Sequence, residues 1–205
     1  CMPPRKPRLK ITRRLGAHLP GLTRKQPEWK TYPPGQHGAG GKRRKASTYK
    51  TRLEEKQKVR YNYLVSESQL RRYFDRASKQ AGPTGENLLA LLERRLDNVV
   101  FRLGFAPTIP AARQLVSHGH VRVNGRRLNR ASYQVEVGDT ITVSDKARNN
   151  VAVMESVKRG PELRLPSYLA LDPDDPFTGR VIGMPARNDV SLQVDEAAIV
   201  EFYAR

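Results

Sequence analysis

The chain has 205 residues and a formal net charge of +18, because 38 lysines and arginines outnumber 20 aspartates and glutamates. Hydrophobic residues make up 38% of it, below the roughly 45–50% of typical globular domains, which still allows a modest core and excludes wholesale disorder. No apolar run approaches the roughly 18 residues that a membrane span needs, and a single cysteine excludes an internal disulfide and a thiolate zinc cluster.

Positive charge is concentrated toward the N-terminal end. Residues 1–60 carry 18 basic and 3 acidic side chains, whereas residues 131–205 carry 8 basic and 12 acidic ones. Such crowding opposes compaction unless a polyanion neutralises it. A membrane surface would require amphipathic helices with apolar faces, but the early basic residues alternate with Gly and Pro. Arginine also outnumbers lysine by 26 to 12, and its planar fork suits phosphate. The pattern favours nucleic acid as the partner.

Residues 1–46 are predicted to form an extended basic arm, ordered mostly by what it binds. Gly and Pro are spaced too closely there for long helices, and little apolar material is available to bury. A disordered tail without a specific role is the alternative. Leu22, Trp29 and Tyr32 among the charges favour the arm, because pure tails are poor in aromatic residues.

Residues 47–91 are predicted to form a helical domain that residues 186–205 complete. Ser47 is placed to cap the first helix of this domain. Ser66 and Gln69 have the spacing of a capping box and open a second helix. The domain is therefore expected to be discontinuous in sequence.

The closing helix is expected to pack on the helices predicted over residues 48–81. Asp195 is placed to cap it, and its Ile199 and Phe202 need an apolar surface. Leu70 and Phe74 belong to an apolar stripe that no predicted sheet covers. Packing the two together would bury both.

Residues 92–185 are predicted to form an α+β domain of two helices on a small twisted sheet, with a strand and loop extension. The first helical stretch closes on Gly104, and Thr108 with Pro110 opens the next, which ends at Gly119. The fold class is therefore α+β, with a basic extended arm, a helical domain and this inserted block.

Strands are expected after the second of these helices, where the apolar period changes from about 3.6 to 2 in HVRVNGRRL. Asn124-Gly125 is a strong hairpin signal. Val135, Val137 and residues 141–143 are predicted to supply further strands. Residues 150–187 are spaced by prolines and are predicted to be short strands and loops.

Several stretches carry a family resemblance. Residues 91–143, LLERRLDNVVFRLGFAPTIPAARQLVSHGHVRVNGRRLNRASYQVEVGDTITV, resemble the alpha-L RNA-binding domain of the small-subunit ribosomal protein four family. That domain also occurs in pseudouridine synthases, tyrosyl-tRNA synthetases and a heat-shock ribosome-rescue protein. However, YPPGQHG at 32–38, YKTRLEEKQKVRYNY at 49–63 and IVEFYAR at 199–205 resemble the ribosomal family itself. PRLKITRRLGAHLPGLTRK at 7–25 is most similar to cyanobacterial and plastid versions.

The resemblance implies a structural component of the small ribosomal subunit that binds a helix junction in the 5′ domain of small-subunit rRNA. It implies early nucleation of assembly and support of decoding accuracy near the channel through which messenger RNA enters. Ribosomal protein five, other small-subunit proteins and messenger RNA are the implied neighbours, in bacterial cytoplasm or plastid stroma. Many bacterial members bind zinc through four cysteines; that set is missing from this sequence, so we expect a zinc-free arm and no cofactor. An isolated RNA chaperone or an autogenous messenger-binding repressor is the alternative.

Enzyme hypotheses find little support. We find no Gly-rich phosphate loop, metal-ligand cluster or G-x-S-x-G elbow in the sequence. A synthase or synthetase would need a catalytic domain that the remaining residues do not supply. Asp97 lies among apolar residues, and a structural ion pair with Arg102 or Arg113 is favoured over a catalytic role.

A basic run over residues 42–60 is predicted to contact phosphates. Only Glu54 and Glu55 oppose it, which argues against a merely solvated helix face. Tyr49 is left open between stacking on a base and packing in the core.

A second RNA-facing edge is predicted on the helix that begins at Thr108. Three-four spacing puts Arg113, Ser117 and the nearby His120 on one side, and hairpin residues 124–127 are expected to share it. His118 with His120 suggests a metal pair, but no third ligand is near in sequence. The predicted RNA-binding residues are Arg13, Arg14, Arg43, Arg44, Lys45, Tyr49, Arg52, Lys56, Lys58, Arg60, Arg71, Arg113, Gln114, Ser117, His118, His120, Asn124, Arg126 and Arg127.

Overall fold

A computed structural model of the chain describes residues 7–25, 30, 32–39 and 47–204. Contacts between Cα atoms divide the chain into two compact units: a helical unit of residues 1–85 with 192–205, and a sheet unit of residues 86–191. The predicted α+β class is confirmed. No helix in the described ranges is long and apolar enough to cross a membrane.

The described helices are α1 (Arg8–Leu15), α2 (Thr48–Asn62), α3 (Glu67–Ala77), α4 (Thr84–Glu93), α5 (Leu96–Arg102), α6 (Ile109–Ser117), α7 (Asp145–Arg148), α8 (Val151–Arg159) and α9 (Glu196–Tyr203). The strands are β1 (Val121–Val123), β2 (Arg126–Leu128), β3 (Thr140–Val143), β4 (Leu169–Leu171) and β5 (Thr178–Val181), and a 3-10 turn spans Arg187–Asp189.

The sheet unit extends further at both ends than the predicted block at 92–185. At its C-terminal end, the Asp189 carboxylate accepts hydrogen bonds from the Ser167 N–H at 2.7 Å and from the Ser167 hydroxyl at 3.1 Å. The Arg102 guanidinium donates to the Asp189 carbonyl. These bonds hold the segment around Asp189 in the sheet unit. The residues that they join are far apart in the sequence, so composition does not reveal the bonds.

Helix α1 corrects the prediction that the arm is extended. Residues 8–15 contain neither Gly nor Pro, so a short helix fits between Pro7 and Gly16. Ile11 and Thr12 are buried, and α1 packs against α2. Gly16 ends the helix in the left-handed conformation, with a φ of 60°. The closely spaced Gly and Pro residues therefore bound this helix without preventing it.

Side-chain caps fix where the helices of the helical unit begin. The Ser47 hydroxyl accepts a backbone N–H at 3.2 Å and opens α2. Ser66 and Gln69 form the predicted capping box at the start of α3. The Asp195 carboxylate accepts a backbone N–H at 3.2 Å and opens α9. All three predicted caps are confirmed, because each satisfies an N–H that the helix itself leaves unpaired.

Helix α9 packs on α2, and its aromatic residues contact both α2 and α3. The Tyr203 ring centroid lies 4.8 Å from that of Phe74 in α3, and the Phe202 ring lies 5.9 Å from that of Tyr49 in α2. Ile199 is buried. The last helix thus covers apolar side chains that α2 and α3 would otherwise expose.

In the sheet unit, α5 packs against α6, and every residue of α5 is buried. Gly104 closes this stretch with a φ of 83°, and the Thr108 hydroxyl caps α6 at 3.4 Å, both as predicted. Helix α8 differs from the short strands and loops predicted over 150–187, whereas β4 and β5 agree with that prediction. The Asn150 side chain caps this helix by accepting a backbone N–H at 3.0 Å. Residues 151–159 contain neither Gly nor Pro, so the helix continues until Gly160.

The strands form one antiparallel sheet in the order β2-β1-β3-β5-β4. Strands β1 and β2 make the predicted hairpin, with φ values of 51° at Asn124 and 77° at Gly125, as a type I′ turn requires. The strand predicted at Val135 and Val137 does not form. An Asp139 carboxylate oxygen accepts the N–H of the residue between them at 2.9 Å and turns the chain there.

Candidate nucleic-acid interface

The predicted RNA-binding residues divide between the two units. Arg43, Arg44 and Lys45 lie outside the described residues, as does Trp29. The sheet unit contains Arg113, Gln114, Ser117, His118, His120, Asn124, Arg126 and Arg127. The helical unit contains Arg13, Arg14, Tyr49, Arg52, Lys56, Lys58, Arg60 and Arg71.

The β1–β2 hairpin places two arginines directly opposite one another. Arg122 of β1 is the cross-strand partner of Arg127 of β2, and such partners project from the same face of a sheet. Arg126 is the partner of the buried Val123, so it lies on the other face. The prediction that Arg126 and Arg127 share one side was wrong, because successive residues of a strand alternate between faces.

The opposed arginines repel each other. Cβ atoms of direct partners lie about 4.5–5.5 Å apart, where like charges destabilise the pair. Arg122 makes an ion pair with Asp145 at 3.9 Å, but the two side chains are 46% and 82% exposed, so water weakens it. The Arg127 guanidinium donates to the His118 carbonyl at 3.2 Å. A phosphate between the two arginines would relieve the repulsion.

The C-terminal end of α6 extends this surface. Leu115 and Val116 are buried, whereas Gln114, Ser117 and His118 are exposed. The Ser117 hydroxyl donates to a backbone carbonyl one turn earlier at 2.8 Å, which leaves its lone pairs able to accept. We call the exposed residues on the side of Arg122 and Arg127 the hairpin surface; it comprises Gln114, Ser117, His118, Arg122 and Arg127.

Two other predicted residues lie nearby, and one of them, Asn124, serves the fold. The Asn124 amide nitrogen donates to Asp139 at 2.7 Å, and its oxygen accepts the Thr140 N–H at 2.9 Å, so this side chain holds the turn. His120 is half-buried, and its ring lies 6.1 Å from that of His118, edge to face. Within the described ranges, no three His, Cys, Asp or Glu side chains are grouped as metal ligands would be.

Arg113 is held by a buried carboxylate. Its Nε and Nη2 atoms lie 3.1 and 2.6 Å from Asp97 Oδ2, and its side chain is 13% exposed. Asp97 also accepts two hydrogen bonds from Arg95, at 3.0 and 2.8 Å. Of the two partners proposed for Asp97, Arg113 is present, whereas Arg102 lies 3.7 Å from Glu93 instead. Arg113 is therefore part of a buried ion pair and is not displayed as a phosphate clamp.

Lys56 is a second predicted RNA-binding residue whose side chain is buried in the folded protein. Its side chain is 5% exposed, its Nζ donates to Glu67 Oε1 at 2.8 Å, and it lies 4.4 Å from the Phe202 ring centroid. The Lys56 ammonium is therefore not available to a phosphate, contrary to the prediction. It helps to hold α9 against α2 and α3.

Glu67 collects hydrogen bonds at this junction of three helices. Burial disfavours its charged form, but the bonds from Lys56 and from the Tyr203 hydroxyl at 2.9 Å outweigh that effect, so the pKa of Glu67 lies below its ordinary value of 4.5. Burial and the bond to Glu67 raise the pKa of Tyr203 well above its ordinary value. The carboxylate and the phenol thus stay in their ionised and neutral forms, respectively, at neutral pH.

Other predicted cations of α2 already have acidic or polar partners. Arg52 contacts Glu201 at 2.5 Å, and Lys58 contacts Glu55 at 2.5 Å. Arg60 lies 3.9 Å from Glu67 and donates to Gln57 at 3.2 Å. Tyr49 is 54% exposed on top of Phe202. These contacts mask much of the basic run predicted to bind phosphate.

Arg13 of α1 also makes contacts within the protein. Its guanidinium donates to the Lys30 carbonyl at 3.2 Å and to the Tyr32 carbonyl at 3.0 Å, and it lies 5.0 Å from the centre of the Tyr32 ring. It therefore holds Lys30 and Tyr32 next to α1. Arg14, next in sequence, is exposed.

Further cations outside the predicted set lie on α3, in the turn that follows α3, and on β1. Arg72, Arg76 and Lys79 follow one another at helical spacing beside the predicted Arg71, and all four are exposed. They lie opposite the buried stripe of α3. We call Arg71, Arg72, Arg76 and Lys79 the helix stripe. The i, i+4, i+7 spacing of Arg72, Arg76 and Lys79 indicates a shared helix face. The alternation in Val121-Arg122-Val123 likewise indicates that Arg122 is exposed.

The comparisons with known proteins cover almost the whole chain. Residues 4–93 match the family described as "Ribosomal protein S4/S9 N-terminal domain", and residues 94–141 match the "S4 domain" family. A protein of Thermosynechococcus vestitus is 55% identical over 201 residues, which cover 98% of this chain and 97% of the relative. Relatives from Trichormus variabilis and Synechococcus sp. strain CC9311 are 55% and 52% identical over the same shares. Each is named "Small ribosomal subunit protein uS4".

Proposed function

Because the chain belongs to the small ribosomal subunit protein uS4 family, we propose that it is a structural, non-enzymatic component of the small ribosomal subunit that binds ribosomal RNA. The observation that carries the proposal is the opposed pair of Arg122 and Arg127 on the hairpin surface. Like charges in direct register destabilise a hairpin, and a phosphate bound between them converts that repulsion into affinity.

Binding is electrostatic and depends on RNA shape. The hairpin surface and the helix stripe present positive groups to phosphates, and an arginine fork donates two parallel hydrogen bonds to one phosphate. Neutralised phosphates release counterions, which favours association. The shallow minor groove of A-form RNA displays 2′-hydroxyls. The exposed side chains of Ser117 and His118 can form hydrogen bonds with these hydroxyls, either as donors or as acceptors. By binding several RNA helices at once, the protein fixes their relative angles.

The family supports a more specific site and role. We place the protein at a helix junction in the 5′ domain of small-subunit rRNA, where it nucleates assembly and supports decoding accuracy near the messenger channel. Ribosomal protein five, other small-subunit proteins and messenger RNA are its proposed neighbours. The relatives named above are cyanobacterial, which supports a ribosome in bacterial cytoplasm, with plastid stroma as the second expected compartment.

The direct test measures which RNA the purified chain prefers. We expect tighter binding to a transcript of the 5′ domain of small-subunit rRNA than to a large-subunit rRNA transcript of equal length, measured by filter binding at one fixed salt concentration. Equal affinity for the two transcripts would contradict the proposal and favour an RNA chaperone. Preference for the protein's own messenger over both would favour a repressor.

A further inference from the structure

Asn124-Gly125 is the single Asn-Gly step in the sequence, and it forms the tip of the β1–β2 hairpin. Such a step is chemically labile in a flexible chain, because glycine has no side chain to hinder attack by its own nitrogen. The Gly125 nitrogen bonds to the side-chain carbonyl carbon of Asn124, and the amide leaves as ammonia with the proton of the Gly125 nitrogen. Water then opens the resulting succinimide to aspartate or isoaspartate.

In the folded hairpin, both ends of the Asn124 amide are held by hydrogen bonds. Asn124 Nδ2 donates to Asp139 Oδ1 at 2.7 Å, and Asn124 Oδ1 accepts the Thr140 N–H at 2.9 Å. Asp139 is itself fixed, because it is buried and its other oxygen accepts the Glu136 N–H at 2.9 Å. The amide must break these bonds before its carbonyl carbon can turn toward the Gly125 nitrogen.

We propose that Asn124-Gly125 is a latent deamidation site, and that Asp139 is the positioning residue that keeps it unreactive. The product would have a carboxylate where the Asn124 amide now donates to Asp139, so two negative groups would face each other. It would also add a negative charge two positions from Arg122 and Arg126. An accompanying loss of RNA affinity rests on the proposed function, whereas the deamidation rate does not.

The test measures deamidation of the purified full chain during incubation at mildly alkaline pH. Peptide mass spectrometry detects the mass gain of amide-to-acid conversion at Asn124. Wild type should react more slowly when native than in denaturant. Asp139→Ala should react at least about tenfold faster than native wild type, because hydrogen bonds to charged groups contribute roughly that factor or more. Asp139→Asn keeps one acceptor oxygen and should react more slowly than Asp139→Ala.

A matched control removes an exposed carboxylate near the same hairpin. Asp145→Ala should leave the rate unchanged, since Asp145 is 82% exposed and contacts Arg122 and not Asn124. Equal rates for native and denatured wild type would overturn the proposal even if Asp139→Ala loosens the hairpin. Equal rates for Asp139→Ala and wild type, with the sheet amides still protected from exchange, would overturn the role of Asp139.

Discussion

At the scale of single residues, Arg122 and Arg127 allow binding to be separated from stability. We expect the double substitution Arg122→Ala with Arg127→Ala to weaken RNA binding and to change stability by only about 0.5 kcal/mol, as is usual for surface positions. Each lost phosphate contact should reduce the slope of log affinity against log salt by about one. Filter-binding titrations at several salt concentrations, with thermal melts, measure both quantities.

Arg159→Ala is the matched control for this pair. Arg159 is an arginine of α8 that is 49% exposed and lies 3.8 Å from Glu162. Its removal should leave both the affinity and the salt slope unchanged. A large drop in melting temperature of the double variant, with unchanged affinity, would make Arg122 and Arg127 structural residues.

Asp97 gives a prediction about folding. Its carboxylate is buried and joins the guanidinium groups of Arg95 and Arg113. Asp97→Ala would leave those charges without this partner, so we expect a loss of about 3–5 kcal/mol in the free energy of unfolding. Urea denaturation measures it. The exposed Asp145→Ala is the control, and its free energy of unfolding should change by no more than about 0.5 kcal/mol. Equal losses in the two variants would mean that the buried ion pair contributes no more to stability than an exposed one.

The exposed arginines of the hairpin could be predicted from the sequence, whereas the roles of Arg113 and Lys56 could not. Alternation in a strand shows which residues face away from a core. Arg113 meets a carboxylate 16 positions away, and Lys56 meets one 11 positions away across a turn. A basic run in the sequence shows where cations occur. Which of these cations form ion pairs with carboxylates depends on contacts that only the folded chain makes.

At the scale of elements, the contacts of α9 include a hydrogen bond from the Tyr203 hydroxyl to Glu67. We expect Tyr203→Phe to lower the free energy of unfolding of the helical unit by about 1 kcal/mol, because the hydroxyl is lost while the ring stays on Phe74. The pKa of Glu67 is lowered in the folded state, so this stabilisation is present above the unfolded value of 4.5 and is lost as pH falls through the folded value. The difference between the variant and wild type should therefore shrink in acid.

Tyr49→Phe is the matched control, since it makes the same chemical change in the α2–α9 contact. The Tyr49 ring contacts Phe202, and its side chain is 54% exposed. For this variant, urea denaturation followed through amide exchange in α2 and α3 should show an unchanged free energy of unfolding. If both variants lose equal stability, or if the Tyr203 effect does not change with pH, the bond to Glu67 is not what holds α9.

The starts of three helices were predictable from their caps at Ser47, Ser66 and Asp195, whereas the cap of α8 at Asn150 was missed. A cap is a local signal, because it pairs with an N–H two or three residues ahead. Helices α1 and α8 escaped prediction for different reasons. In α1, flanking Gly and Pro residues suggested loop structure, and in α8 few buried residues mark a periodic stripe.

At the scale of the whole molecule, charge should dominate RNA affinity. If six to ten phosphates are neutralised, affinity should fall by roughly 10³–10⁵-fold between 50 and 200 mM salt. The basic N-terminal part supplies most of the net charge of +18. Titration of the purified chain on a transcript of the 5′ domain of small-subunit rRNA measures the slope, and a flat response to salt would contradict electrostatic binding.

A unit that contains a sheet could be predicted in outline, because the sequence changes from helical to alternating periodicity after α6. Its boundaries depend on contacts such as that between Asp189 and Ser167, 22 positions apart. Such contacts carry no local sequence signal.

The position of β2 at one edge of the sheet has a further consequence, for the protein before it meets RNA. An edge strand offers unpaired backbone groups on which a strand of another molecule can add, and short length and charged side chains prevent such growth. Strand β2 has three residues, and two are Arg126 and Arg127. A newly made chain is thus protected from aggregation by two charged side chains, of which Arg127 is also proposed to contact phosphate. An alanine variant at both positions should therefore self-associate more readily when RNA is scarce.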